Sequence, residues 1–194
     1  MIDLEPATRT LAGVVAGVRD DQLDAATPCP GSSVAALLDH IDGLASAFTA
    51  AARHTEPPGG SQAPTHDASR LTPDWRTRIP ARLAELADAW RAKDAWVGMT
   101  KAGGVDLPSD LAGVIALDEV VVHGWDLATA TGQPYSVEQT QLEAVHGFVR
   151  SSAEQNPDGT PGLFAAPVAV ADDAPLLDRV IALAGRDPAW RAGA

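Results

Sequence analysis

Apolar residues recur every three or four positions along much of the chain, which is the pattern of α-helices that bury one face. The clearest stretch follows Ser32 and Ser33, either of which can cap a helix. Its apolar stripe consists of Val34, Leu37, Leu38, Ile41, Leu44 and Phe48. A similar stripe within residues 4–19 predicts a helix before it. The first part of the chain is therefore expected to form two helices.

The rest of the chain carries the same period in further segments. The predicted helices there span residues 75–91, 109–131, 136–154 and 175–185. Pro80 lies inside the first of these and is expected to kink it or delay its start. Ser109 can cap the second, and Gly132 follows its last residue as a natural terminator. The third opens on the capping-box pattern of residues 136–139.

Segments rich in proline, glycine and small polar residues separate these helices. Residues 56–74 have this composition and predict a long loop, or a lid over one end of a helical bundle. Residues 101–108 and 156–162 predict shorter breaks, and residues 163–171 lack a helical period and suit an extended segment. Because no clear strand alternation is visible, the predicted fold class is all-α.

Composition and charge narrow the classes of partner. The chain has 194 residues, of which 45% are hydrophobic, enough for one sizeable core. A formal net charge of -12 and a sequence pI of about 4.6 argue against nucleic acids and anionic membranes as partners. No apolar run approaches the roughly 18 residues of a membrane helix, and no signal peptide is visible, so a cytoplasmic protein is expected. The sequence also lacks phosphate-binding loops, dinucleotide-binding glycine motifs and the serine-hydrolase elbow.

Cys29 is the single cysteine of the chain. A single cysteine excludes an internal disulfide and a thiolate-rich zinc site. It lies between Pro28 and Pro30, just before the second predicted helix. We favour a structural cysteine in a tight turn over a reactive nucleophile at this position.

Candidate chemistry centres on Glu119 and His123, four residues apart in an almost wholly apolar part of the fourth predicted helix. This spacing points both side chains the same way. Two polar groups buried together are costly unless something pairs with them, and carboxylate plus imidazole suits zinc, iron or nickel. The alternative is an ordinary contact on a solvated helix face, which the flanking valines weaken.

His40 is the best candidate for a third metal ligand, although a lone histidine beside an apolar stripe is often a packed core residue. Asp126 falls in the same helical sector as Glu119 and His123 and is the candidate catalytic residue, since it can orient a ligand through a hydrogen bond. The alternative for Asp126 is a helix-face aspartate without a role. Asp118 points away from that sector and is a poorer ligand. Three other histidines compete less well for the site: His54, His66 and His146.

Two segments together resemble the mycothiol-dependent maleylpyruvate isomerase family. They are TPCPGSSVAALLDHI at residues 27–41 and EVVVHGWDLA at residues 119–128. The tail over residues 173–188 is similar to that of short actinobacterial members, so the resemblance covers nearly the whole chain. The chain departs from the family pattern at Ser32, where members usually carry tryptophan.

The resemblance implies a DinB/YfiT-like four-helix bundle with a divalent metal, typically zinc, between its helices. The matching positions for two histidines and one glutamate are His40, Glu119 and His123. We expect the bundle over residues 1–155 and a C-terminal extension packed on it over residues 156–194, as one domain overall. The isomerase itself has an additional C-terminal domain, which this chain is expected to lack.

The resemblance also implies that mycothiol, or a related low-molecular-weight thiol, is the cosubstrate. We expect the metal to activate the thiol for transfer to, or isomerisation of, an electrophilic small molecule. Two other functions stay open: a non-catalytic or stress-response metal-binding protein, and a metal-dependent hydrolase. A homodimer is a possible assembly.

Overall fold

Six α-helices and one short β-hairpin make up the computed structural model, which describes residues 1–56, 60 and 62–192. The helices are α1 (Glu5–Gly17), α2 (Val34–Ala52), α3 (Trp75–Ala89), α4 (Ser109–Thr131), α5 (Gln139–Gln155) and α6 (Leu176–Leu183). Helices α1 and α2 each pack against both α3 and α4, which forms a four-helix bundle. The prediction of a mainly helical bundle is therefore confirmed.

Local signals define the ends of the bundle helices. Ser33 is the N-cap of α2, and its hydroxyl accepts a hydrogen bond from the Ala36 amide at 3.3 Å. Gly132 follows α4 with a φ of 69°, a left-handed conformation that glycine adopts without steric cost. The predicted apolar stripe of α2 is buried almost completely. Burial of each large aliphatic side chain contributes about 1.5–3 kcal/mol, so this stripe anchors the helix in the core.

Helix α4 is largely enclosed by the rest of the protein. It contacts α1, α2 and α5, and its sequence is apolar around most of its circumference. Most polar side chains on α4 consequently face other parts of the protein, and Asp110 in its first turn is exposed. Asp118, His123 and Asp126 are all buried.

The segment predicted as a loop over residues 101–108 is instead part of an antiparallel hairpin. Its strands are β1 (Met99–Ala102) and β2 (Val105–Pro108). Gly103 and Gly104 connect them with φ values of 58° and 82°, the backbone that a tight two-residue hairpin turn requires. The prediction of a loop was wrong because each strand has only four residues, too few to show a clear alternation of apolar and polar positions.

Two predicted helix caps need correction. Ser109 does not cap α4, because the helix already begins at Ser109, after Pro108, and no side chain makes a capping hydrogen bond there. The capping box expected at residues 136–139 does not form, because α5 begins at Gln139 with Glu138 as its N-cap. The segment at residues 163–171 contains no strand in the described structure, only an isolated pairing between Thr160 and Phe164. Pro80 neither delays nor ends α3, which continues through it to Ala89.

The loop predicted over residues 56–74 falls partly outside the described residues, which omit 57–59 and 61. The described remainder lies along α2. The Asp67 amide donates a hydrogen bond to the Asp39 carboxylate at 3.3 Å, and Pro64 lies so close to Gly43 that a Cβ there would meet it. The predicted mobility of this loop stays a prediction.

The segment after α5 folds back against the helices. Helix α6 packs on α5, and the Val168 amide donates a hydrogen bond to the Ala182 carbonyl at 2.9 Å. Arg186, just beyond α6, is buried. The division into a bundle over residues 1–155 and an extension over residues 156–194 stays a prediction.

By length and composition, α2 could also cross a membrane, since its mean hydropathy is 1.2 over 19 residues. Its most apolar window is 67% buried inside the protein, however, as in the central helix of a bundle. In the described part of the chain α2 packs against α3 and α4.

Candidate metal centre

Helices α2 and α4 lie side by side, and their contact brings His40 towards Glu119 and His123. His123 Nε2 is 3.0 Å from Glu119 Oε2, and His40 Nε2 is 3.7 Å from the same oxygen. The ring centroids of His40 and His123 are 4.8 Å apart. One ligand-type atom from each of the three residues lies within 4.8 Å of the other two. All three predicted metal ligands therefore meet at one point between two helices.

These separations fit a single divalent ion. Two ligands that each bind zinc at about 2.0–2.1 Å in a tetrahedral arrangement are roughly 3.3 Å apart. The observed 3.0 Å and 3.7 Å lie on either side of that value. Imidazole nitrogen and carboxylate oxygen suit zinc, iron and nickel alike, so the donor set does not choose among these metals.

Electrostatics favour the ionised form of Glu119. Burial alone would raise the pKa of its carboxyl group, but the hydrogen bond with His123 and the nearby His40 hold it below its usual value. Burial would likewise lower the pKa of His123, yet its contacts with Asp126 and Glu119 outweigh burial and raise it to about 9. The pair thus forms a buried anion–cation contact in which a metal ion can replace the proton of His123.

Asp126 lies behind His123, on the side away from Glu119. Its Oδ2 is 3.0 Å from His123 Nδ1, which is the contact that an orienting role requires. Arg186 from the C-terminal segment donates to the same Asp126 oxygen through Nη2 at 3.3 Å and to the Ala184 carbonyl through Nη1 at 2.8 Å. Both Asp126 and Arg186 are buried. A guanidinium from the tail therefore balances the charge of the aspartate that holds His123.

His66, which sequence reasoning set aside as a loop residue, covers one side of the site. Its ring stacks on that of His40 with centroids 3.9 Å apart and planes 14° apart. Its Nδ1 is 3.0 Å from Ser32 Oγ, at the position where the chain departs from the family pattern. Partial burial and the neighbouring His40 lower the pKa of His66 to about 4, so the ring is neutral at physiological pH.

A cavity of about 100 Å³ opens beside the three candidate ligands. Its lining includes Cys29, His66, Asp118, Val122, Gly162, Leu163, Phe164 and Arg186. Asp118 was judged a poor metal ligand from its angle on the helix, and it lies outside the cluster of three while it lines the cavity. Burial, followed by the nearby Glu119, raises the pKa of Asp118 well above its usual value.

Cys29 lies close to Arg186, with 3.9 Å between Sγ and Nη2. Burial and then Asp126 raise the pKa of its thiol to about 11, which keeps it protonated and agrees with a structural cysteine. Cys29, His123 and Asp126 form a second group of ligand-type atoms. The guanidinium of Arg186 touches two of its members, and this positive charge disfavours a metal ion there.

The remaining histidines lie away from the site. His54 contacts the carbonyl oxygens of Met99 and Asp94 at 3.2 Å and 3.1 Å. His146 is on α5 and is partly buried. The sequence analysis correctly placed His54 and His146 outside the site, but it did not predict that His66 lies beside His40.

The chain is similar to known proteins in sequence and in fold. Residues 4–128, more than half of the chain, match the family described as the mycothiol maleylpyruvate isomerase N-terminal domain. The fold is similar to the crystal structure of the mycothiol-dependent maleylpyruvate isomerase, with a TM-score of 0.62 and 19% identity over 95% of this chain and 79% of that chain. A histidine-to-alanine mutant of that enzyme gives a TM-score of 0.58 at the same identity and coverage. The search of curated proteins found no match.

The fold similarity is not confined to the bundle. Since 95% of this chain is covered, the match includes most of the residues after α5. The shared fold therefore extends beyond the bundle into the segment that follows α5.

Proposed function

The chain belongs to the mycothiol maleylpyruvate isomerase N-terminal domain family, and on that premise we propose that it is a metal-dependent enzyme that activates mycothiol, or a related low-molecular-weight thiol. The thiol would react with an electrophilic small molecule by transfer or by isomerisation. The observation that carries this proposal is the convergence of His40, Glu119 and His123 beside a cavity.

His40, Glu119 and His123 would hold one divalent ion, with zinc as the first choice and nickel or iron as alternatives. Bound there, the ion supplies Lewis acidity that lowers the pKa of a thiol in the remaining coordination position. Three protein ligands with an open position are typical of catalytic sites, whereas structural zinc sites use four.

The chain's own residues prepare this site for the reaction. Asp126 accepts a hydrogen bond from His123 Nδ1, which directs Nε2 towards Glu119. Arg186 holds Asp126 in place from the C-terminal segment. The small cavity and its apolar residues Val122, Leu163 and Phe164 limit the water around the thiol.

Both reaction outcomes begin with the same step. The thiolate sulfur forms a bond to an electrophilic carbon of a double bond, and the displaced electron pair moves to the conjugated group. Protonation of that group leaves a stable thioether, which is transfer. Rotation about the former double bond, followed by loss of the thiolate, returns the thiol and gives the isomerised product.

Mass spectrometry of reaction mixtures tests the proposal. Zinc-loaded and chelator-treated protein would be incubated with mycothiol and a panel of electrophiles that includes maleylpyruvate. We expect a thioether or an isomerised product only with the zinc-loaded wild type, and none with His123→Ala incubated with the same zinc concentration. Hydrolysis without thiol dependence would instead indicate a metal-dependent hydrolase, and metal binding without any turnover would indicate a non-catalytic metal-binding protein.

The location and assembly of the protein remain predictions as well. Composition predicts a cytoplasmic protein without nucleic-acid or membrane partners, and a homodimer is a possible assembly. Size-exclusion chromatography with light scattering measures the assembly directly.

A further inference from the structure

Four of the ten buried polar side-chain atoms that lack a hydrogen-bond partner in the described part of the chain lie at or beside the candidate metal centre. They are His40 Nδ1, Asp118 Oδ1, Asp126 Oδ1 and Arg186 Nε. A buried polar atom that makes no hydrogen bond costs about 1–3 kcal/mol, so folded proteins retain few of them. Their concentration at one cavity indicates that a ligand completes the site.

Asp118 is the most isolated of these groups. It is 1% exposed, its Oδ1 is buried without a hydrogen-bond partner, and in the described part of the chain its carboxyl group forms no ion pair within 4.0 Å. The charges of Arg186 and His123 reach it only from a longer distance. Some side chains elsewhere that have one unpartnered atom make a polar contact through another atom. Asp42 binds arginines through Oδ2, for example, and Gln141 donates to the Asp3 carbonyl.

Packing does not explain a carboxyl group at this position. The cavity wall next to Asp118 includes Val122, Leu163 and Phe164, against which an apolar side chain would pack at lower cost. Asp118 also does not serve the candidate metal cluster, whose members are His40, Glu119 and His123. The carboxyl group therefore has no hydrogen-bond partner in the described part of the protein, and a ligand in the cavity could be that partner.

The cavity size limits which part of a ligand meets Asp118. A volume of about 100 Å³ is roughly that of three water molecules, so only the atoms next to the sulfur fit beside the metal ligands. Asp118 immediately precedes Glu119 on α4, close to where the sulfur would lie. In a thiol derived from cysteine, an amide N–H lies two carbon atoms from the sulfur and is the nearest donor.

We propose that Asp118 is a specificity-determining residue that accepts a hydrogen bond from the amide N–H of a cysteine-derived thiol. This inference rests on the proposed function, since it requires a thiol at the metal site. The residue would select thiols that carry an acylamino group beside the CH₂–S unit over thiols of similar size that lack it. Mycothiol, whose sulfur belongs to an acylated cysteine, falls in the selected class.

Isothermal titration calorimetry of the zinc-loaded protein tests this with two matched thiols. N-acetylcysteinamide carries the acetylamino group, and 3-mercaptopropionamide lacks only that group. We expect the wild type to bind the first about tenfold more tightly, because the bond satisfies a buried carboxyl oxygen that otherwise has no partner. Equal binding of the two thiols by the wild type would overturn the inference without any variant.

Variants at position 118 locate the selectivity. Asp118→Ala should lower the affinity for N-acetylcysteinamide about tenfold, leave that for 3-mercaptopropionamide within twofold and keep the zinc content. Asp118→Asn keeps an acceptor oxygen and should retain part of the preference. The matched control is Asp110→Ala, an exposed aspartate on the same helix, which should behave as wild type.

The outcomes separate this inference from the proposed function. If neither thiol binds the zinc-loaded wild type, the thiol function and the inference both fall. If the wild type prefers N-acetylcysteinamide and Asp118→Ala keeps that preference, or loses affinity for both thiols equally, the inference alone falls.

Discussion

On α2, His40 and Asp42 lie two residues apart, yet they belong to polar clusters of opposite character. Asp42 is buried and binds two arginines of α3 through Oδ2, Arg78 at 2.7 Å and Arg82 at 2.9 Å. His40 faces Glu119 at 3.7 Å, and its Nδ1 is buried without a partner. One cluster is an ion-pair network made within the chain, and the other places two imidazoles around one carboxylate.

The comparison separates polar groups that serve the fold from those that serve a ligand. The arginines neutralise Asp42 with charges that the chain supplies, so its cluster joins α2 to α3. The cluster of His40, Glu119 and His123 has one carboxylate for two basic rings, and it opens on a cavity. Substitutions in the two clusters should therefore change different properties, stability in one and metal affinity in the other.

The largest expected effect is on metal binding by His123→Ala. Loss of one of three ligands should weaken zinc affinity by about two orders of magnitude or more, because the remaining pair leaves much of the ion unligated. Helix content should fall only moderately, since the bundle core is intact. Inductively coupled plasma mass spectrometry and circular dichroism measure the two quantities. His146→Ala is the control, and equal metal content in both variants would contradict the assignment.

The next largest effect is the pH dependence of zinc affinity. The pKa of His123 is raised from 6.5 to about 9, so below pH 9 the ion must displace a proton. Affinity should rise about tenfold per pH unit from 6.5 to 9 and then level. Competition with a chromophoric chelator measures it, and a flat profile between pH 7 and 9 would count against this account.

The metal-free protein should show the opposite trend. A raised pKa means that protonated His123 contributes stability, which is fully present below pH 6.5 and is lost as pH rises through 9. Urea unfolding of the chelator-treated protein across this range measures the loss. His123→Ala is the control and should remove this part of the pH dependence.

Asp42→Ala should lower the stability of the protein and leave zinc affinity unchanged, the reverse of what we expect for His123→Ala. It leaves Arg78 and Arg82 without their shared partner, and because both arginines are partly exposed we expect a loss of about 2 kcal/mol in the free energy of unfolding. Zinc content should not change. Asp74→Ala removes an exposed partner of the same Arg78 and should cost much less, because solvent screens an exposed ion pair. Similar losses of unfolding free energy in both variants would show that the buried ion pairs of Asp42 stabilise the fold no more than an exposed pair does.

The smallest effect is expected for His66→Ala. The ring stacks on His40 without adding a nitrogen to the cluster of three, so zinc affinity should change by less than about threefold. The same chelator competition applies. A loss of zinc affinity as large as that of His123→Ala would indicate that His66 is itself a metal ligand and would contradict the cluster of three.

The helices could be predicted from the sequence because each buries one apolar face, and the spacing of apolar residues reveals that face. Helix α4 runs to Thr131, as predicted, because Gly132 follows it in a left-handed conformation, whereas no side chain caps its N-terminus. The hairpin was missed because its strands are short, although Gly103 and Gly104 carry the turn signal. Glu119 and His123 could be paired from sequence since the geometry of one helix holds them together.

The rest of the site depends on tertiary contacts that no local pattern encodes. His66 reaches His40 because a loop lies along α2, and Arg186 reaches Asp126 because the tail returns to the bundle. Asp118 was dismissed since the helical angle was considered for metal ligation alone. Its place in the cavity wall appears only when the segment at Gly162 and Leu163 closes the other side.

Anomalous diffraction at the zinc edge, from crystals of the zinc-loaded protein, tests the central claim most directly. The account predicts one strong peak between α2 and α4, about 2.0–2.2 Å from His40 Nε2, a Glu119 oxygen and His123 Nε2. A peak among Cys29, His123 and Asp126, or no peak at either group in the fully loaded protein, would contradict it.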